Sequence, residues 1–325
     1  MPITGKNKAS LPHAIITGGG GFLGSHIARR LLNEGWKVTT VGRGDVPADL
    51  RNRLDHSSGL LSKALLETTV KSHGVPEVII HAAGGASVGR SWEDPHADFH
   101  LSVSSTVALL DFIRSCDVMP RLVLISSAAV YGNVDSSAIS EDDICAPVSP
   151  YGLHKYLCEQ MVLAEARMTG LDVSIVRFFS IYGPGLRKQI LWDIMSRIYK
   201  DPDQGLELWG DGTETRDFLY VDDAAHLVAK IAETRSDSNP RIFNGGSGTS
   251  VSVAKFAKVL IEVAGFETKL VFNGRTRSGD PKHLTGNVRK AANSLGFLPK
   301  TLLDNGLSEY VQWFNSIIKQ KGEIE

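Results

Sequence analysis

The sequence predicts an α/β fold: a doubly wound parallel sheet with helices on both faces, followed by a smaller C-terminal lobe. Three observations predict it. Short apolar runs alternate with helical patterns through the first 183 residues. Those runs are apolar almost without a break, as strands covered on both faces must be. A glycine-rich turn joins the first run to the first helix, where a nucleotide phosphate would be held in such a sheet.

The elements follow in order. "HAIITG" (13–18) is a strand ending in glycine, and "GFLGSHIARRLLNEG" (21–35) a helix with Leu23, Ile27, Leu31 and Leu32 on one face. "WKVTTVGR" (36–43) and "EVIIHAAG" (77–84) are further strands, with a helix over "STVALLDFIRSC" (105–116). A strand is expected over 121–132, a long helix over 151–170, and another strand over 172–183. Beyond residue 184 short elements are separated by Gly- and Arg-rich loops, which indicates a lobe that closes over the sheet. The expected division is a loose N-terminal extension over 1–12, a nucleotide-binding domain over 13–183 and the lobe over 184–325. Part of the lobe, about 215–245, is a candidate to return to the first domain.

Composition excludes several classes. A net charge of −1 on 325 residues gives no basic field for nucleic acid. No apolar run is long enough to span a membrane, and the first residues lack the apolar core of a secretory signal. Three scattered cysteines argue for a reducing, cytoplasmic setting. The histidines are not read as an H-x-x-x-H pair working with a partner acid on a helix, so a metalloenzyme is not expected.

Two motifs carry chemistry. In "TGGGGFLG", Gly18, Gly21 and Gly24 stand between the first strand and its helix. One glycine makes the turn, one lets the backbone approach a pyrophosphate and one packs helix against strand. A flexible turn would look the same, but not at a strand–helix junction opening an alternating pattern. In "SPYGLHK", Ser149 suits the N-cap and Pro150 the first helical position, which puts Tyr151 and Lys155 one turn apart. An ammonium beside a phenol favours the phenolate and fits a tyrosine to proton transfer. The bland alternative is a surface pair on an amphipathic helix. Ser127, in "SSAAVYG" at a strand end, could hydrogen-bond the oxygen that Tyr151 serves.

With these motifs, and with "HAAG", "RFFSIYGPG", "GDGTETRDFLYVDD", "NGGSG" and "GDPKHLTGN", nearly the whole chain resembles the extended short-chain dehydrogenase/reductase family. That family contains nucleotide-sugar epimerases, dehydratases and reductases. The resemblance implies a Rossmann domain holding NAD or NADP, and a lobe holding a nucleoside-diphosphate sugar. It implies Tyr151 as acid/base, Lys155 on the nicotinamide ribose and Ser127 on the sugar oxygen. It extends the cofactor contacts to Phe22, Leu23, Ala82, Ala83 and Gly84. It gives substrate contacts to Ser87, Ser180, Trp209, Arg216 and Arg277, the two arginines suiting a diphosphate. Family dehydratases carry an Asp–Glu pair after the catalytic hydroxyl; Ala128 and Ala129 stand there, which disfavours elimination of water. Ser102 and Ser180 replace asparagines frequent in the family.

An acid is expected roughly 20 residues after the glycine loop, on the adenosine ribose of NAD. Gly42 and Arg43 occupy that place. An arginine there would pair with a 2′-phosphate, so NADP(H) is favoured over NAD(H); the alternative is an exposed strand-end arginine, with Asp45 reaching back to the ribose. Two enzyme readings remain: a 4-epimerase that keeps its cofactor, and an NADPH-dependent 4-keto-sugar reductase that exchanges it. A non-catalytic nucleotide sensor is the third reading, and intact Ser127, Tyr151 and Lys155 count against it. The resemblance also implies a homodimer through helices at about 93–115 and 151–169, with Leu109, Leu110, Leu157, Met161 and Val162 as apolar residues there.

Overall fold

The computed structural model describes residues 11–134, 138–235, 240–275 and 281–321; most of the N-terminal extension and Arg277 lie outside them. Strand β1 (His13–Thr17) leads into helix α1 (Phe22–Asn33), then β2 (Lys37–Gly42), β3 (Asp55–Ser58), α2 (Lys63–His73) and β4 (Val78–His81). Short helices α3 (Val88–Glu93) and α4 (Pro95–Phe99) continue through a π-helical turn, His100–Ser104, into α5 (Ser105–Arg114). Next come β5 (Arg121–Ser127), the long α6 (Pro150–Thr169), β6 (Val173–Phe178), β7 (Ser180–Tyr182) and α7 (Gln189–Lys200). The remainder holds β8 (Leu206–Leu208), β9 (Thr215–Tyr220), α8 (Val221–Glu233), β10 (Arg241–Gly245), β11 (Ser250–Ser252), α9 (Val253–Val263), β12 (Leu270–Phe272), β13 (His283–Leu284), α10 (Arg289–Leu295) and α11 (Leu303–Lys321).

Seven strands form one parallel sheet in the order β10-β6-β5-β4-β1-β2-β3. The chain therefore reverses direction across the sheet between β1 and β4, and a crevice opens at the carboxyl ends of those two strands. Side chains alternate across a strand, and the two faces sort accordingly. Ile16, Val38, Ile80, Val123 and Ile125 pack with α1 and α8. Ile15, Ile79, Leu122 and Leu124 pack with α2, α5 and α6. That double burial is why the strands are apolar without interruption. A third core, with Tyr182, Ile194, Leu206, Phe256, Tyr310 and Phe314, fills the smaller lobe.

Two expected strands prove shorter. The run 121–132 ends as a strand at Ser127 and turns into a single 3-10 turn over Ala128–Val130, because the Ser127 hydroxyl accepts the Ala129 N–H, 3.2 Å, and closes the chain on itself. The run 172–183 splits. β6 stays in the seven-stranded sheet, whereas β7 pairs with β9 in a second, four-stranded sheet. Only Phe179 separates them.

Candidate active site

The crevice is a cavity of about 660 Å³. Its floor is the glycine loop. Gly18 has φ +74°, and a Cβ there would lie 2.8 Å from the Ala83 nitrogen; a Cβ on Gly24 would lie 2.3 Å from the Gly18 carbonyl oxygen. Side chains at either position would push β4 or α1 away from β1. Helix α1 starts after its N-cap Gly21, with no side-chain cap and no acid in its first turn, so its first amides can take a ligand. A phosphate group fits such a helix start by both hydrogen bonding and dipole. Gly18, Gly21, Phe22, Leu23 and Gly24 all line the cavity, as do Ala82, Ala83 and Gly84 after β4. The β4 end is braced from beneath by His81, whose ring nitrogens bond Thr17 Oγ1, 2.7 Å, and Thr106 Oγ1, 3.2 Å. Complete burial pushes His81 down to about 3, so it stays neutral and acts as a spacer.

Ser127, Tyr151 and Lys155 line the same cavity. Ser149 caps α6 by accepting the Gly152 N–H, 3.1 Å, and Ser91 Oγ accepts the Tyr151 N–H, 3.0 Å. Those two bonds fix the first turn of the helix and hence where the Tyr151 ring stands. Lys155 is buried and donates to the Ile125 carbonyl, 3.1 Å. Its ammonium lies 5.9 Å from the Tyr151 ring centroid and would lie 3.1 Å from a Cβ on Gly84. Two hydroxyls and an ammonium beside a nucleotide cradle can exchange a proton with a bound alcohol or ketone. Ser102, where the family often has asparagine, accepts the Gly85 N–H, 2.9 Å, and so holds the loop after β4.

The predicted substrate residues are placed differently. Ser87, Ser180, Trp209 and Arg216 do not line this cavity. Ser87 caps α3 by accepting the Arg90 N–H, 3.3 Å. Ser180 is on β7, paired through Phe218 to the strand that carries Arg216. Arg216 donates to the carbonyls of Thr215, 2.8 Å, and Lys282, 3.3 Å. Trp209 follows β8 and is 47% exposed.

Sequence reasoning missed two features. One is a buried polar network behind Ser127. Arg177 on β6 donates Nε and Nη2 to the Glu159 carboxylate of α6, the latter at 2.8 Å. Ser126 Oγ donates to the same carboxylate, 2.5 Å. Arg177 Nη1 reaches the Tyr131 hydroxyl, 3.0 Å, which donates to Asn244 Oδ1, 2.7 Å. Burial works against the Arg177 charge, but its bonds to Glu159 outweigh it and hold the guanidinium protonated. An arginine inside the core strand "SIVRFF" was the available signal, since a buried charge needs a partner. The other feature is Lys188, on the cavity wall, donating to the Ala86 carbonyl, 2.6 Å. Burial first, then Arg90 and Lys155, lower its ammonium to about 8. Nothing in the spacing of "GLRKQ" marks it.

Residues 14–246 match the model of the NAD dependent epimerase/dehydratase family. The chain belongs to this family. It is 30% identical over 305 residues to the UDP-glucose 4-epimerase of Corynebacterium glutamicum, covering 88% of this chain and 90% of that protein. The UDP-glucose 4-epimerase of Thermotoga maritima, solved with UDP-glucose, superposes with a TM-score of 0.86 at 27% identity over 94% of this chain and 99% of its own. MoeE5, solved with UDP-glucuronic acid and NAD, superposes with a TM-score of 0.83 at 30% identity over 94% and 99%.

These likenesses correct one expectation. Arg43 favoured NADP(H); the family is NAD dependent and MoeE5 holds NAD. The physical reason lies in where Arg43 stands. It is exposed at the cavity rim just beyond β2. A guanidinium there can lie flat on an aromatic base as well as pair with a phosphate, so its presence does not select a 2′-phosphate.

Proposed function

We propose that the protein is a UDP-hexose 4-epimerase that keeps NAD bound through turnover. The observation that carries this reading is the cavity itself, which Ser127, Tyr151 and Lys155 line together with the glycine loop at the switch point of the sheet. The solved relatives with this architecture include 4-epimerases of UDP-sugars. The loss of the NADP argument removes the main support for a ketoreductase.

In this reading the glycine loop and the first amides of α1 hold the dinucleotide phosphates. When bound, NAD supplies hydride acceptance at the sugar C4 and its return. Tyr151 takes the 4-hydroxyl proton and later gives it back, while Ser127 hydrogen-bonds the same oxygen. Lys155, anchored on Ile125, would hold the ribose with its remaining N–H bonds, beside Tyr151. Arg216 and Trp209 hold the nucleoside diphosphate, together with Arg277, which lies outside the described residues. Ala128 and Ala129 cannot move a proton, so the sugar is not dehydrated.

The test is incubation of the purified protein with UDP-glucose, without added cofactor, and chromatography of the sugar nucleotides. UDP-galactose formation is expected, with GDP- and dTDP-hexoses turned over more slowly. Turnover only of 4-keto sugars with added reduced cofactor would replace this reading by a reductase. We also propose a homodimer. Leu109, Leu110 and Val162 are buried in their own subunit, but Trp92, Phe99, Leu153 and Leu157 are exposed on α3, α4 and α6. Light scattering at micromolar concentration should give twice the chain mass.

A further inference from the structure

His96 on α4 and His100 at the start of the π-helical turn stand one turn apart on one helical stretch. Both side chains are exposed on the single chain, on the α4 stretch that also carries Phe99 of the proposed dimer face. Their Nε2 atoms approach to 3.1 Å, with the rings at 74° and their centroids 4.4 Å apart. The outer nitrogen of His100, Nδ1, lies 3.0 Å from Ser104 Oγ. His100 and Ser104 also line the mouth of the cavity, whereas His96 does not. The proposed mechanism uses none of these three side chains.

From this geometry we infer that His96 and His100 form a chelating site for a borderline divalent transition metal of the zinc, nickel or copper class. Imidazole nitrogens bind zinc at about 2.0–2.1 Å. Two such ligands at right-angled to tetrahedral openings stand about 2.9–3.4 Å apart, and the observed separation falls inside that span. Imidazole is the ligand type these metals prefer. Ser104 supplies the outer contact that would orient a ligating ring: with Nε2 on the metal, His100 would carry its proton on Nδ1 and donate it to the Ser104 hydroxyl, 3.0 Å away. Among the described residues no cluster of three or more His, Cys, Asp or Glu could hold a metal. The pair therefore gives two protein ligands, and water completes the shell. The competing account is a single N–H···N bond between the rings, which needs no cation and confers no affinity for one.

The test does not depend on the epimerase reading. Zinc chloride is titrated into the full-length protein against a colorimetric zinc indicator, for the parent, His96→Ala and His100→Ala. The parent should take up one equivalent with a Kd on the order of micromolar, and each variant should bind at least about tenfold more weakly. Equal affinity in all three proteins would assign the zinc to cysteines or other groups and overturn the site. So would the lack of any uptake by the parent below about 0.1 mM. Copper(II) added to the parent gives a second readout that needs no variant. Splitting of its paramagnetic resonance by two imidazole nitrogens is expected, and splitting by one or none overturns the proposal.

Discussion

The cofactor side and the substrate side of the site are built in different ways. On the cofactor side every predicted residue, from Gly18 to Lys155, meets in one cavity. These residues sit at the ends of adjacent parallel strands, or at the starts of the helices that follow, so the sheet register alone brings them together. On the substrate side, Ser180, Trp209 and Arg216 sit on or beside short strands of two small sheets. Ser180 and Arg216 are linked by β7–β9 pairing, and Arg216 is held by loop carbonyls. On the proposed reading, the chemistry would rest on the seven-stranded layer, and recognition on the layer with fewer and shorter pairings. Substitutions on the first side should therefore alter turnover or folding, and those on the second should alter apparent affinity.

The largest expected effect is on Tyr151. Tyr151→Phe should lower turnover about 10²–10⁴-fold, the usual worth of general acid–base catalysis, with an unchanged thermal melt. Full activity would remove the cofactor side from the mechanism. Glu159→Ala should cost about 3–5 kcal/mol in urea denaturation, because it leaves the buried Arg177 charge unpaired. A loss below about 1 kcal/mol would mean that the network behind Ser127 is not what fixes the strand end. Arg216→Ala should raise KM for UDP-glucose about tenfold to a hundredfold, equivalent to about 1.5–3 kcal/mol for hydrogen bonds to a charged group. Turnover and retained NAD should not change; a fall in kcat alone would break the comparison.

The smallest effect concerns Lys188. Its ammonium is charged below about pH 8 and neutral above it. The affinity for an anionic sugar nucleotide should therefore fall as pH rises through that value, by less than about tenfold for one partly screened charge. Steady-state KM measured across that range should show the step in the parent and not in Lys188→Met. The stability sign runs the other way. A lysine lowered in the folded state binds its proton more tightly when unfolded, so this group favours folding more as pH rises from about 8 toward its ordinary value.

The legible parts of the fold are those where one residue's neighbours in sequence decide its environment. β1 and β4 are fully buried along their length, so an apolar run suffices to find them. The glycine loop and the Ser149-Pro150-Tyr151 helix start are local chemistry. β3 was missed because "DHSS" is a half-exposed edge strand with no apolar pattern. The split of 172–183 was missed because only the pairing of Ser180–Tyr182 with β9, some 38 residues later, reveals it. Glu159 and Arg177 are unremarkable singly; their meaning comes from α6 crossing β6 where Ser126 and Arg177 lie side by side. Arg43 shows the opposite failure, a local rule applied where exposure lets one side chain serve two purposes.

The passage of the chain between sheets bears on how the gene could be divided. After β6 the backbone leaves the large sheet, builds β7, β8 and β9, and returns with β10 to pair with β6. Phe179, the single residue between β6 and β7, donates its N–H to Gly245, 3.0 Å, so the departing and returning threads are stitched together at the crossing. Cutting the coding sequence after residue 183 would yield a first fragment whose β6 edge is bare and a second carrying an orphan β10. Unpaired strand edges of this kind promote self-association. Fragments expressed separately should precipitate, and fragments expressed together should recover a soluble pair.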